Sequence, residues 1–348
     1  MINIKHLEDK NNIEGKRVLL RVDFNVPIND GSITESSRIK KVLPTIKYLI
    51  NQKAKIIIIA HLGRPKGKLD PKLTLKPIAK KLSDYLNQNV FFLDKTIGKN
   101  VVEKSKEISN GSVLLLENLR FFKEEESNSN SFAKELAKNG DIYINEAFSC
   151  SHREHASVSE ITKHIDSYAG KMMVEEISVI KMFTNNAKKP MCCIIGGSKI
   201  STKIGILTNL IKKVNTLVIV GAMANNFIKY NGCKIGKSLF EKDQESLIKD
   251  IINQSKINNC NLVLPSDVIV SKSHNSKGKL KNLDEIDDTD LILDIGNKTT
   301  ENILKIIDNS KTILWNGPAG FFESKEFSIG SNKIAKKITE NTKNKSLI

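Results

Sequence analysis

Short apolar runs rich in β-branched residues recur along the chain, and between them lie stretches whose apolar residues fall at helical spacing. In the first half the runs cover residues 18–22, 56–60, 113–116 and 142–144, with helical spacing over 38–51, 75–86 and 131–138. A strand covered on both faces reads as a continuous apolar run, and parallel strands can be joined only by a long crossover, usually a helix. This alternation predicts an α/β domain. Residues 162–183 place Met172, Met173, Ile177 and Ile180 at helical spacing with no strand signal, so a linking helix is expected there, its body at 169–184. A second alternation starts at Lys189 and Pro190, with strand candidates at 191–195, 217–220, 262–264, 291–295 and 313–315. The expectation is two three-layer α/β domains with mostly parallel sheets, over 1–168 and 185–348, joined by that helix. Residues 124–131 and 272–281 read as polar surface loops.

Open α/β sheets bind ligands at the carboxyl ends of their strands, and those ends carry the chemistry of this chain. The run at 18–20 breaks into Arg21-Val22-Asp23-Phe24-Asn25-Val26-Pro27. Arg38 opens a helix, His61-Leu62-Gly63-Arg64 follows the second run, Arg120 follows Glu117-Asn118, and His152-Arg153 follows Glu146-Ala147-Phe148. The net charge of +16 comes almost wholly from Lys scattered along the chain. With aromatics at only 5%, that scatter does not fit a nucleic-acid surface, which clusters its charge and interleaves it with aromatic rings. The six arginines are different: Arg17, Arg21, Arg38, Arg64, Arg120 and Arg153 all lie in the first half. A guanidinium is a planar, permanent fork for carboxylate and phosphate oxygens, which Lys cannot copy. The first half should therefore hold a multi-anionic ligand. With many cations and few bases, it should grip a phosphate and a carboxylate rather than hydrolyse anything, and His61 suits an anion donor.

In the second half the strand candidates end in Gly196-Gly197, Gly221, Pro265-Ser266-Asp267, Gly296 and Asn316-Gly317-Pro318. Such ends let phosphates and nucleoside rings approach the backbone. Gly196-Gly197-Ser198-Lys199-Ile200-Ser201-Thr202-Lys203 follows a strand and opens a helix, which would put lysines four apart on one face. It matches neither the Walker pattern, which needs Ser or Thr directly after its Lys, nor the dinucleotide glycine spacing. The five cysteines show no CxxC pair and their number is odd, no run is long enough to span a membrane, and no leader is evident, so a cytoplasmic location is expected.

Together these motifs resemble those of the phosphoglycerate kinases, from about residue 4 to the last residue. Leu43-Pro44-Thr45-Ile46 and residues 61–67 match the half that binds 3-phosphoglycerate. Residues 196–203, 265–268, Asp294-Ile295-Gly296 and 315–323 match the nucleotide half. The resemblance implies two Rossmann-like domains closing about a hinge, and reversible phosphoryl transfer between 1,3-bisphosphoglycerate and ADP, giving 3-phosphoglycerate and ATP, in glycolysis. Carried over position by position, Asp23, Phe24, Asn25, Arg38, His61, Leu62, Gly63, Arg64, Arg120 and Arg153 would bind the phosphoglycerate. Gly197, Lys199, Lys203, Gly221, Asn316 and Pro318 would hold the nucleotide, and Glu323 its ribose hydroxyls. Arg38 and Lys199 would surround the phosphoryl group in flight, because this chemistry asks mainly for positioning and for cations at the equatorial oxygens. Mg²⁺ would ride on ATP or ADP. The resemblance also implies a monomer that takes small-molecule substrates, with no nucleic-acid or membrane partner.

The match has departures. Val220-Gly221-Ala222-Met223 stands where the family shows three glycines, and Glu146-Ala147-Phe148-Ser149-Cys150-Ser151 replaces Asp-Ala-Phe-Gly-Thr-Ala. Ser346-Leu347-Ile348 aligns with a strand that in the family runs into a Gly-Gly-Gly-Asp-Thr loop, whose Asp serves the metal, so no metal ligand is assigned. The expectation drawn from this end is either an incomplete chain or a poorly active or non-catalytic form that still binds phosphoglycerate and nucleotide.

Overall fold

The computed structural model describes residues 4–10, 12–29 and 31–345. Ser346, Leu347 and Ile348, matched above to a family strand, lie outside them. The chain forms two compact units that meet in sequence between Lys181 and Met182.

In the first unit β1 (Arg17–Arg21) leads through a small hairpin, β2 (Ile28–Asn29) and β3 (Ser32–Ile33), into α1 (Ser37–Asn51). There follow β4 (Lys55–Ile59), α2 (Lys76–Leu86), β5 (Val90–Leu93), α3 (Lys99–Glu107), β6 (Val113–Leu116), α4 (Lys123–Glu126), α5 (Asn130–Ala137), β7 (Ile142–Asn145) and β8 (Ser167–Ala169). The sheet has the order β5-β6-β4-β1-β7-β8, and every pairing is parallel. Alternate residues of the central strands feed two cores. Val18, Leu20, Ile56 and Ile58 pack with Ile39, Ile46 and Ile78 of α1 and α2, while Leu19, Ile57 and Ile59 pack with Val101, Phe132 and Leu136 of α3 and α5. That two-sided burial is why these strands carry no polar alternation. The chain leaves β1 toward β4 and leaves β7 toward β8 on the other side, so the strand order reverses between β1 and β7. The segments after those two strands flank the crevice where such sheets take ligands.

Three elements differ from expectation here. The strands β5 and β8 were not anticipated: β5 is half exposed, and β8 is three residues long and interrupts a helical-looking stretch. The loop expected at 124–131 instead contains α4, whose Glu125 is fully buried and accepts from Ser157 N at 2.9 Å and Ser157 Oγ at 2.6 Å. A run of Glu and Ser gives no hint that one carboxylate is internal.

Helix α6 (Lys171–Asn185) crosses from one unit to the next in sequence. Its first turn is capped from outside, by the Glu146 carboxylate, which accepts from Met172 N at 3.3 Å and Met173 N at 3.0 Å and from the Thr45 hydroxyl.

The second unit continues with β9 (Met191–Ile195), α7 (Ile204–Ile211), β10 (Thr216–Ile219), α8 (Ala224–Tyr230), α9 (Glu245–Ile257) and β11 (Asn261–Val263). Then come β12 (Asp267–Ser271), β13 (Lys279–Asn282), β14 (Leu291–Ile295), α10 (Asn297–Asn309), β15 (Thr312–Asn316) and α11 (Ile329–Lys345). A parallel sheet has the order β11-β10-β9-β15, and β13-β12-β14 form a separate antiparallel sheet. The run at 291–295 was expected among the parallel strands and lies in the second sheet. An apolar run shows that a strand is buried, not which strand it pairs with. The expected loop at 272–281 ends in β13, an edge strand that is largely exposed and carries Lys279 and Lys281, so no hydrophobic alternation announces it. No helix among the described residues is long and apolar enough to cross a membrane.

Gly196 and Gly317, at the ends of β9 and β15, pack backbone on backbone: a Cβ at Gly196 would fall inside the Pro318 carbonyl oxygen and lie 2.8 Å from that of Gly317. Backbone cannot yield as a side chain would, so Gly196→Ala should destabilise the second unit by at least about 3 kcal/mol. Urea unfolding of the two proteins measures the difference, and an unchanged midpoint would refute the close packing.

Candidate functional site

The first unit gathers its polar strand ends around one buried guanidinium. Arg21, at the last position of β1, is 1% exposed. Its Nε donates to Ser157 Oγ at 2.9 Å, its Nη1 donates to the Val22 carbonyl, and its Nη2 lies 3.2 Å from His61 Nδ1. Ser157 passes the contact on to Glu125, so the buried charge has a buried carboxylate at one remove. Arginine only donates, so His61 Nδ1 must accept, and the ring's proton sits on Nε2. Burial, reinforced by the charges of Arg21, Arg120 and Arg153, holds His61 far below the usual histidine range. His61 is therefore a neutral N–H donor, and its Nε2 has no hydrogen-bond partner among the described residues.

Asp23, two residues beyond β1, sits at the reversal of strand order. Its carboxylate accepts from the Arg38 guanidinium at the start of α1, from the Ser149 hydroxyl after β7, and from Asn25 N at 3.0 Å. Asn25 Oδ1 in turn accepts from Gly63 N at 2.9 Å, which leaves the Asn25 amide as a donor. Gly63 has φ +62°, and a Cβ there would meet the Leu73 side chain at 2.7 Å. Arg120 is 4% exposed; its Nη1 donates to the Gly63 carbonyl at 2.7 Å, while its Nε is buried without a hydrogen bond, Glu126 lying 3.4 Å away outside bonding geometry. Arg153 is half-buried and Arg64 exposed.

Phe24 and Leu62 turn their side chains into the core, so they present only backbone, and the Leu62 N–H is taken by Asn118 Oδ1 at 3.2 Å. Arg17 stands apart from the other arginines, at the opposite end of β1, where it clamps Asp141 at 2.7 Å and the Lys138 carbonyl at 2.9 Å. Its position at the start of an apolar run is the signal that separates it from Arg21. Three residues were not singled out from the sequence. Asn118 ties β4 to β6 through Leu62 and Leu73, Ser149 holds Asp23, and Glu125 supports Arg21 through Ser157.

In the second unit Gly197, Gly221 and Pro318 meet where β9, β10 and β15 end. Gly221 N donates to the Ala319 carbonyl at 3.0 Å and Met223 N to that of Gly197 at 2.8 Å, and Gly221 has φ +69°. These glycines border a cavity of about 640 Å³ walled by Ile228, Leu239, Pro265, Val268, Leu291 and Leu293. Glu323 stands exposed at its edge. Lys203 Nζ donates to Asn316 Oδ1, and Lys199 is exposed. The two lysines do not share one helical face: the chain turns helical only at Ser201, whose N–H and hydroxyl are held by Glu241 at 2.9 and 2.7 Å. Asp294 also lines the cavity; burial pushes it up to about 6, although Ile295 N and Gly330 N donate to its two oxygens.

The family model described as phosphoglycerate kinase matches residues 7–348. A phosphoglycerate kinase of Wolbachia pipientis from Culex pipiens is 47% identical over 98% of this chain and 86% of its own length, and that of Finegoldia magna is 44% identical over 97% and 87%. Among solved structures, the phosphoglycerate kinase of Coxiella burnetii superposes with a TM-score of 0.84 at 35% identity, over 97% of this chain and 86% of its own. That of Pyrococcus horikoshii gives 0.83 at 30%, over 96% and 86%.

A His61→Gln variant tests the neutral imidazole. With its folded pKa lowered below the usual 6.5 of a histidine, the native residue stays unprotonated where the unfolded one takes up a proton. Its contribution is complete above pH 6.5 and is lost as pH falls below it, at about 1.4 kcal/mol per pH unit. Asp294 acts in the opposite sense but is common to both proteins. The difference in urea-unfolding free energy between wild type and variant should therefore shrink from about pH 7 to about pH 5. A constant difference would mean that His61 takes up its proton in the fold as readily as in the unfolded chain.

Proposed function

Because the chain belongs to the phosphoglycerate kinase family, we propose that the arginine-lined crevice of the first unit holds 3-phosphoglycerate and the glycine-bordered cavity of the second holds ADP or ATP. The family makes it a phosphotransferase with nucleotide and small-molecule substrates. The finer reading is reversible transfer to a carboxyl group. The carboxylate oxygen of 3-phosphoglycerate attacks the γ-phosphorus of ATP, the bond to the bridging oxygen breaks, and ADP leaves with that electron pair. A carboxylate is already ionised at neutral pH, so no base has to remove a proton.

That is the observation which carries the reading: the crevice offers several guanidinium groups and a neutral imidazole, and, among the described residues, no free general base. Arg64, Arg120, Arg153 and His61 Nε2–H would take the phosphate, Asp23 and the Asn25 amide the hydroxyl, and Arg38 the carboxylate. Arg21 is 1% exposed and each of its three nitrogens is bonded, to Ser157, Val22 and His61, so it supports His61 rather than the ligand. In the second unit the apolar cavity suits a nucleoside, Gly197 and Gly221 allow phosphates against the backbone, and Lys203, Asn316 and Pro318 border them. Lys199, exposed before the helical turn, would follow the transferring group, with Arg38 on the acceptor side.

Mg²⁺ finds no prepared seat among the described residues. The three side chains that could share an ion are Asp23, His61 and Cys150, a softer set than Mg²⁺ takes, and both Asp294 oxygens already accept backbone N–H groups. The ion would be held by the nucleotide's own phosphate oxygens, and no step is assigned to it. A cytoplasmic monomer is our reading of the surroundings, supported by five free cysteines. The binding-only alternative draws no support from the relatives, which bear the kinase name over nearly the whole chain.

ATP consumption by the purified chain, with Mg²⁺, should depend on added 3-phosphoglycerate, and its absence under those conditions would refute transfer. Arg38→Ala should lower kcat by roughly a hundredfold or more. A variant that turned over at the wild-type rate would remove Arg38 from the reaction.

A further inference from the structure

We propose that Ser149 is a positioning residue for the acceptor end of 3-phosphoglycerate: its hydroxyl fixes the Asp23 carboxylate, and through Asp23 it sets where Arg38 points. The inference rests on the assignment of the first unit's crevice to that ligand, with Asp23 at its hydroxyl and Arg38 at its carboxylate. Ser149 stands where the family motif carries glycine, which has no side-chain donor, so the contact belongs to this chain rather than to the motif.

The two oxygens of Asp23 are used differently. Oδ1 accepts from Asn25 N at 3.0 Å, while Oδ2 accepts from both the Ser149 hydroxyl and Arg38 Nη1. With two lone pairs on each oxygen, Oδ2 is filled and Oδ1 keeps one place, the one a ligand hydroxyl would take. The Asp23 side chain is 8% exposed and that of Arg38 46%, and Asp23 is the hydrogen-bond partner of the Arg38 guanidinium among the described residues. A long, half-exposed arginine has many rotamers, and a fixed acceptor selects among them. Asn25 N alone leaves the carboxylate free to turn about its own axis. A donor on the second oxygen stops that turn, and Arg38 cannot be the stop because it is the mobile partner.

Ser149 is held firmly enough to serve. It lies in the short helical turn Phe148–Cys150 that follows β7. Cys150 N donates to the Ala147 carbonyl at 2.9 Å, Ser151 N to that of Phe148 at 3.0 Å, and Arg153 N to that of Cys150 at 3.0 Å. Ala147 and Cys150 are buried with Val158 in a small apolar cluster of their own. The turn therefore fixes Ser149 and runs on to Arg153, so that the groups assigned to the two ends of the ligand share one frame.

Calorimetric titration and initial rates of the full chain test this. Ser149→Ala should weaken 3-phosphoglycerate by roughly five- to tenfold, the loss of one hydrogen bond to a charged group, lower kcat severalfold and leave KM for ATP unchanged. Ser149→Thr, which keeps the hydroxyl, should restore both. Ethyl phosphate, a phosphate monoester with neither hydroxyl nor carboxylate, should inhibit wild type and Ser149→Ala equally. In an Asp23→Ala background, Ser149→Ala should change nothing further, because the hydroxyl then has no carboxylate to hold. Unchanged 3-phosphoglycerate affinity and kcat in Ser149→Ala overturn the proposal, and so does an equal weakening of ethyl phosphate, which would mean a disturbed turn. Additive losses in the double variant, or no rescue by Thr, overturn it too. Failure of wild type to bind 3-phosphoglycerate at all would overturn the assignment of the crevice itself, a result distinct from any of these.

Discussion

Burying the Arg21 guanidinium is the constraint on which the first unit's site depends. A charge with 1% exposure has to be met by hydrogen bonds and an opposite charge, or the fold loses several kcal/mol. Ser157, Glu125, the Val22 carbonyl and His61 meet it, and they come from four separate places in the chain. The same contacts set the chemistry. Arg21 can only donate, which fixes the His61 tautomer, and burial, together with the charges of Arg21, Arg120 and Arg153, keeps that ring neutral. A structural necessity thereby yields a donor aimed outward without adding a base.

The two units build their strand-end surfaces from different parts of the chain. The first uses side chains: guanidinium groups at loop and helix ends, Arg38 facing the Asp23 carboxylate and Arg120 the Gly63 carbonyl. The second uses backbone: glycines at the ends of β9, β10 and β15 bring the main chains of neighbouring strand ends directly together. A transfer that needs no proton removed is consistent with both designs, because position and positive charge are what it requires.

Much of this was legible in the sequence. The continuous apolar runs of β1, β4, β6, β7 and β9 announced buried parallel strands, and the polar residues just after them marked where the strands end. Other features were not. Arg17 and Arg21 frame one apolar run, yet nothing local shows that the first clamps Asp141 while the second is met by Ser157 and His61. Glu125 reads as one of three surface glutamates until Ser157 is brought to it. The run at 291–295 and the polar strand β13 went astray for the same reason: pairing partner and edge position are long-range properties.

What the sequence determined by itself is the α/β alternation, the clustering of Arg at strand ends of the first half, and the glycine-bordered ends of the second, because period and residue chemistry are local. What only the tertiary structure decided is which of those groups meet: the neutrality of His61, the support of Arg21 by Glu125, and the meeting of Ser149 and Arg38 on Asp23. Each depends on distance through space between residues remote in the chain, and desolvation and charge act through that distance.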